Sequence, residues 1–204
     1  RPDYSLGFHR KTPSNGYSAY RGKGRYTNEI DLSNLGLRGT GKIDYSTSTT
    51  KTDSVIFFPD SLIAHAETFK LPAQTSPVKY PSVDGENNDV TWNPYQDEYN
   101  VSTIDNKFVM FENRSTMKGT LTLTPSQLKG KGEMDIERSK VYSEMFTYKR
   151  EYIDADTSDF ELYNKGKELD IDFSTENVNT HIDFPNRKGH FKTNGEGSYL
   201  SFPK

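Results

Sequence analysis

The stretch LRGTGKIDY, Leu37–Tyr45, recurs in outline as LKGKGEMDI, Leu128–Ile136. Leucine, two glycines and an aspartate hold the same places in both. Shifting the whole sequence over itself by 91 residues, without a gap, carries the match outward. Downstream, Ser48, Ala64, Phe69 and Leu71 fall on Ser139, Ala155, Phe160 and Leu162. Upstream, Tyr17, Tyr20, Ile30 and Leu32 fall on Phe108, Phe111, Leu121 and Leu123. Tyr199 and Phe202 stand another 91 residues on, and Pro94 and Pro185 mark one junction twice, with Pro2 near its earlier equivalent. The chain therefore reads as a first repeat over 1–93, a second over 94–184 and the start of a third over 185–204. These are expected to form one continuous, elongated domain within a longer protein.

The matched positions alternate. Leu37, Gly39, Gly41 and Ile43 share one side of an extended chain, and Arg38, Thr40, Lys42 and Asp44 share the other. The second unit repeats this with Leu128, Gly130, Gly132 and Met134 against Lys129, Lys131, Glu133 and Asp135. Period two with one apolar side predicts half-buried strands. It also disposes of a phosphate-binding loop, which needs a helix to follow so that backbone amides and dipole meet the anion. Inward glycines in a strand instead mark the close approach of another backbone or of an aromatic ring.

Turn clusters such as TPSN, SNLG, PSVDGENND and TPSQ punctuate the chain, leaving room for roughly eight short strands per unit. SDFELYNKGKEL has some helical character but is kept as strand, because Phe160 and Leu162 match Phe69 and Leu71. The predicted fold is all-β: an elongated β-solenoid or stacked jelly-roll of 91-residue repeats, with tandem β-sandwiches as the alternative. The junctions carry Trp92, Tyr95 and Phe184, out of place in a solvated linker, which favours the continuous stack.

Only 31% of the 204 residues are hydrophobic, yet 13 tyrosines, 12 phenylalanines and one tryptophan are spread along the chain. The net charge is −3. Slight self-repulsion and many aromatic anchors argue against disorder and for a thin core. No basic cluster stands out, so nucleic acid is not an expected partner. There is no cysteine, which removes disulfides and thiol catalysis. No apolar run has transmembrane length.

Chemistry-bearing residues are sparse. His9, His65, His181 and His190 show no ligand spacing that recurs between units, and no nucleophile motif is present. Asp154, Asp156 and Asp159 invite a calcium reading. A calcium loop would need Gly at Asp159 and Glu at Lys165, so they read as solvated carboxylates. No cofactor, metal or catalytic residue is expected, and the chain is read as not an enzyme. TWNPYQDEY offers the one candidate binding site, for glycan, at Trp92, Tyr95 and Tyr99. There, aromatic faces stand among Asn93, Gln96 and Asp97, which could bond sugar hydroxyls; the favoured alternative is that Trp92 packs at the seam between the repeats.

The phrases NVNTHIDFPNRKGHF and GSYLSFP, with LKGKGEMDI and EYIDADTSDFEL, resemble the long repetitive β-rich envelope proteins of Gram-negative gut anaerobes. The cadence of leucine, paired glycines, alanine and phenylalanine is more weakly similar to the β-jellyroll units of lipopolysaccharide-transport proteins. That resemblance implies a place in the bacterial cell envelope, at the periplasm or cell surface, and a role in a large assembly. The function expected is therefore a non-enzymatic structural or interaction segment whose partners are other repeats of the same parent chain. Two alternatives stand beside it, a β-groove carrier or bridge for lipid and a glycan-binding module centred on Trp92.

Overall fold

The computed structural model describes residues 7–163, 171–195 and 199–201. They form sixteen strands and one short 3-10 turn, Tyr20–Gly22, with no α-helix. The first strands are β1 (Phe8–Lys11), β2 (Tyr17–Ala19), β3 (Gly24–Ser33), β4 (Gly36–Tyr45), β5 (Ser48–Phe57), β6 (Leu62–Leu71) and β7 (Val83–Asn93). Next come β8 (Glu98–Thr103), β9 (Phe108–Met110), β10 (Ser115–Leu123), β11 (Leu128–Ile136), β12 (Ser139–Tyr148) and β13 (Tyr152–Tyr163). β14 (Ile171–Asp183), β15 (Lys188–Thr193) and β16 (Tyr199–Ser201) follow. All belong to one sheet, ordered β1, then β3 through β8, then β10 through β15, with β2 paired to β3, β9 to both β7 and β10, and β16 to β14. The chain is all-β, as the period-two pattern predicts. Pro2, Lys165 and Phe202 lie outside the described residues.

The expected faces are seen in β4, where Gly39, Ile43 and Tyr45 are buried while Arg38, Thr40 and Lys42 are exposed. β11 likewise buries Leu128, Gly130 and Met134. Parity does not run unbroken through every strand. β5 buries Ser48, Thr50 and Thr52, then switches to Val55, because its pairing with β6 slips between Thr52 and Ser54. Such bulges bend a strand and re-aim the residues beyond them. The Thr52 hydroxyl holds this one, donating to the Ser54 carbonyl at 2.9 Å and accepting the Ser54 amide at 3.1 Å. Ser143, at the matching place in β12, accepts the Met145 amide at 3.1 Å and donates to the Thr157 carbonyl at 2.6 Å.

The bent sheet curls back on its apolar face. Tyr45 on β4 and Tyr99 on β8 are four strands apart in the sheet order, roughly 19 Å if it were flat. Their rings stack with centroids 5.1 Å apart. Tyrosine explains how so polar a chain keeps a core, since each ring fills space while its hydroxyl finds an acceptor. Tyr26 donates to the Glu29 carbonyl at 2.8 Å, Tyr45 to that of Asp97 at 2.8 Å and Tyr80 to that of Thr124 at 2.7 Å. Buried residues from Tyr26 to Phe184 belong to a single apolar cluster.

β2, β3 and β5 begin at Tyr17, Gly24 and Ser48, and β9, β10 and β12 begin 91 residues later at Phe108, Ser115 and Ser139. Beyond β13 the spacing shortens to 90. Trp92 stands opposite Tyr99 as Ile182 stands opposite Gly189, and positive φ recurs at Asn87 and Asn177 and at Asp97 and Arg187. The boundaries read at 93 and 184 fall at the β7–β8 and β14–β15 turns. The first turn interrupts nothing in the sheet, since β8 pairs with both β7 and β10.

Candidate functional site

Alternation along β7 turns Val83, Gly85, Asn88, Val90 and Trp92 inward, with a change of step at Asn87. Trp92 therefore enters the core among the rings of Tyr20 at 5.0 Å, Tyr45 at 5.2 Å and Tyr99 at 6.0 Å. Trp92 and Tyr99 are both 0% exposed, while Tyr95, in the β7–β8 turn, is 60% exposed. The expectation of a shared aromatic platform at Trp92, Tyr95 and Tyr99 is corrected here. A ring enclosed on both faces has none to offer a sugar, and only Tyr95, in the turn, is exposed. The Tyr99 hydroxyl is engaged with Thr50 at 2.7 Å. Burial pushes the phenols of Tyr45 and Tyr99 well up from their ordinary value.

The corresponding place in the second unit is built differently. Ile136 replaces Tyr45, Ile182 replaces Trp92 and Gly189 replaces Tyr99. Where the first unit is packed with rings, the second opens into a cavity of about 970 Å³. Phe160, Leu162 and Phe184 supply apolar wall, and Arg138, Arg187 and Lys188 stand at its margin beside Glu137 and Asp183. Phe111 stacks on Phe184 at 4.1 Å, and Phe191 packs on Phe160 at 4.1 Å. Hydrogen bonds from the Asn186 side chain and backbone hold the Asp183 carboxyl below its usual range. Sequence comparison could have found the cavity only by allowing a one-residue slip after β13. At a constant offset of 91, Trp92 meets Asp183 rather than Ile182.

The histidines and aspartates lie on the outer face. His9 pairs with Asp31 at 3.1 Å, His65 with Asp53 at 2.8 Å and His181 with Asp154 at 2.6 Å. The bond from Asn87, then that from Asp53, raises the His65 pKa. His190 lies opposite His181 on the neighbouring strand, with rings 6.3 Å apart. Asp154, Asp156 and Asp159 do not converge: Asp154 holds His181, and Asp159 accepts the Asn177 amide at 3.1 Å. Among the described residues, no three His, Asp or Glu side chains are grouped to hold a metal ion. The paired glycines of LRGTGKIDY lie inside β4, not at the mouth of a helix.

Compared with protein-family models, curated proteins and solved structures, the chain matches none. Among the described residues no helix is long and apolar enough to cross a membrane.

Proposed function

We propose that this chain is a non-enzymatic structural or interaction segment of a large bacterial cell-envelope protein, in which 91-residue units stack as a β-solenoid or jelly-roll and share one core. The observation that carries this reading is β8. One strand completes the sheet of the first unit through β7 and opens that of the second through β10, so neighbouring units have no linker between them. Tandem sandwiches, each with its own closed core, would place a solvated segment there. In a stacked array stability comes from nearest-neighbour interfaces. A chain ending at Asn93 keeps Trp92 but loses Tyr99, and is expected to melt far below the whole chain. An unchanged melting curve would remove the shared core. The envelope location rests on the sequence resemblance and is tested by fractionating cells that carry the tagged parent protein.

A second reading, a β-groove carrier for lipid, is favoured by the cavity beneath Ile136 and Ile182, whose apolar wall suits an acyl chain and whose margin mixes basic side chains with Glu112, Glu137, Glu151 and Asp183. Displacement of a fluorescent fatty acid tests it; no binding at micromolar protein would set it aside. A glycan module would have to rest on Tyr95 alone.

A further inference from the structure

Two irregularities of the first unit flank one side chain, that of His65 on β6. On β5, Thr52 faces Ala66 and Ser54 faces His65, so Asp53 is the extra residue of the bulge. On the other side of β6, Asn87 of β7 takes a left-handed conformation with a φ of 55°. His65 reaches both. Its Nδ1 lies 2.8 Å from a carboxylate oxygen of Asp53, and its Nε2 lies 2.8 Å from the side-chain oxygen of Asn87. The Asn87 amide is held in that sense, because its nitrogen donates to the Asp105 carboxylate at 3.3 Å. Both ring nitrogens therefore face acceptors, and only the imidazolium has a proton for each. A neutral ring would set a lone pair against the Asn87 oxygen or, with the amide turned, set that oxygen against Asp105.

The surroundings favour the cation. Asp53 stands on β5, Asp89 lies directly opposite His65 on β7, and Lys51 of β5 is paired with Glu67 of β6. The Asn87 bond and then the Asp53 bond raise the His65 pKa more than desolvation lowers it, and the charges of Asp53 and Asp89 help. The second unit holds the same places without an imidazole. Asp156 stands where His65 does, Glu144 where Asp53 does, and Asn177, again at positive φ, where Asn87 does. There the Tyr142 hydroxyl donates to Glu144. The Asn194 amide donates to the Asn177 side-chain oxygen at 3.3 Å and to the Asp156 carbonyl at 2.8 Å. Neutral donors do in one unit what a cation does in the other.

We propose that His65 is a pH-sensitive brace in the first unit: its doubly protonated ring ties the β5 bulge to the left-handed residue of β7, and loss of one proton loosens that part of the sheet. The direction follows from where the proton sits. The folded chain holds it more tightly than the unfolded one, whose histidines titrate near their ordinary value of about 6.5. The brace is complete below that pH and is lost as pH rises through the folded midpoint. The first unit is thus firmer in mild acid than in mild alkali. β6 lies between β5 and β7, so the brace is the same whatever stacks on either end of the chain.

Two measurements on the unaltered chain test this. The His65 ring is followed through a pH titration by NMR, and the amide exchange rates of Ser54 and Met145 are compared over the same range. Each of these amides bonds to a bulge hydroxyl, that of Thr52 in one unit and that of Ser143 in the other. Their ratio therefore cancels the general pH dependence of exchange. His65 should titrate above its ordinary value of about 6.5, and Ser54 should exchange severalfold faster relative to Met145 once the ring is neutral. Asn87→Gly keeps the positive φ but removes the acceptor, and should bring the midpoint down. His65→Gln should leave the exchange ratio flat with pH. A midpoint at or below the ordinary value, or a ratio that stays flat in the unaltered chain, overturns the proposal.

Discussion

The indole of Trp92 occupies the space that a β-carbon on Gly24 would take. Built on the glycine, that carbon would lie 2.5 Å from Cη2 of the indole and 2.9 Å from the Asp44 carbonyl oxygen. β3 and β7 approach this closely because one residue has no side chain and the other has the largest. Trp92→Ala is expected to cost about 3–5 kcal/mol in denaturant unfolding, the usual range for emptying a large aromatic site. Gly24→Ala alone should cost about 1–3 kcal/mol by overpacking. The two are coupled, so Gly24→Ala should cost clearly less in the Trp92→Ala background. Strict additivity would mean that the two residues do not meet.

Gly39 makes the same point on β4. A β-carbon there would strike the Tyr26 hydroxyl and the Glu29 carbonyl, which are bonded to each other. Gly39→Val is expected to destabilise by about 1–3 kcal/mol, with Thr40→Val, on the exposed face, near silent. Gly130 has its nearest neighbours, Leu121, Tyr148 and the Thr120 carbonyl, at 3.0 Å, so Gly130→Val should be the milder of the two glycine changes. Equal tolerance at 39 and 40 would show the faces reversed.

These glycines were legible in the sequence because β4 and β11 bury one side only, and period two survives a highly polar composition. The bulges were not legible. Nothing in STTKTDSVIF says that Thr52 will bond around Ser54 and hand the inward role to Val55, since the bend answers to the curl of the whole sheet. Beside Trp92, Asn93, Gln96 and Asp97 look like a wet site, but alternation separates a strand residue from its immediate neighbours, and the indole is buried, as its place at the seam favours. The aspartate partners of the histidines lie 12 to 27 residues away, a distance that only strand register supplies. The cavity of the second unit was hidden by the slip from 91 to 90.

Asn88 is fully buried, and among the described residues neither its side-chain amide nitrogen nor its side-chain carbonyl oxygen has a hydrogen-bond partner. It stands just past the turn in backbone at Asn87, against Gly85 and Phe108. A buried polar group without a partner carries its full desolvation penalty, about 1–3 kcal/mol. Replacing it with an apolar side chain of similar shape removes that penalty. Asn88→Leu is therefore expected to raise the thermal midpoint, read by far-UV circular dichroism. A marked fall would mean that Asn88 bonds a buried water in solution and that its polarity supports the bend.

Alkaline stability tests the tyrosine core. Burial pushes the phenol of Tyr20 up to about 12, and raises those of Tyr26, Tyr45, Tyr99 and Tyr148 as well. In the unfolded chain tyrosine ionises near its ordinary value of about 10. Above that pH the unfolded state has lost protons that the folded state keeps, so the free energy of unfolding falls as pH rises. The loss should begin near pH 10, with the Tyr20 contribution running out by about pH 12. The β signal should stay flat from neutral pH to the start of that window, then collapse together with a rise in tyrosinate absorbance, because the buried phenols ionise by unfolding. Tyr99→Phe removes one titrating group but also the bond to Thr50, so it should lower stability at neutral pH while making the alkaline fall less steep. Most of the tyrosinate signal appearing before any loss of β structure would place these rings in solvent and contradict the enclosed core.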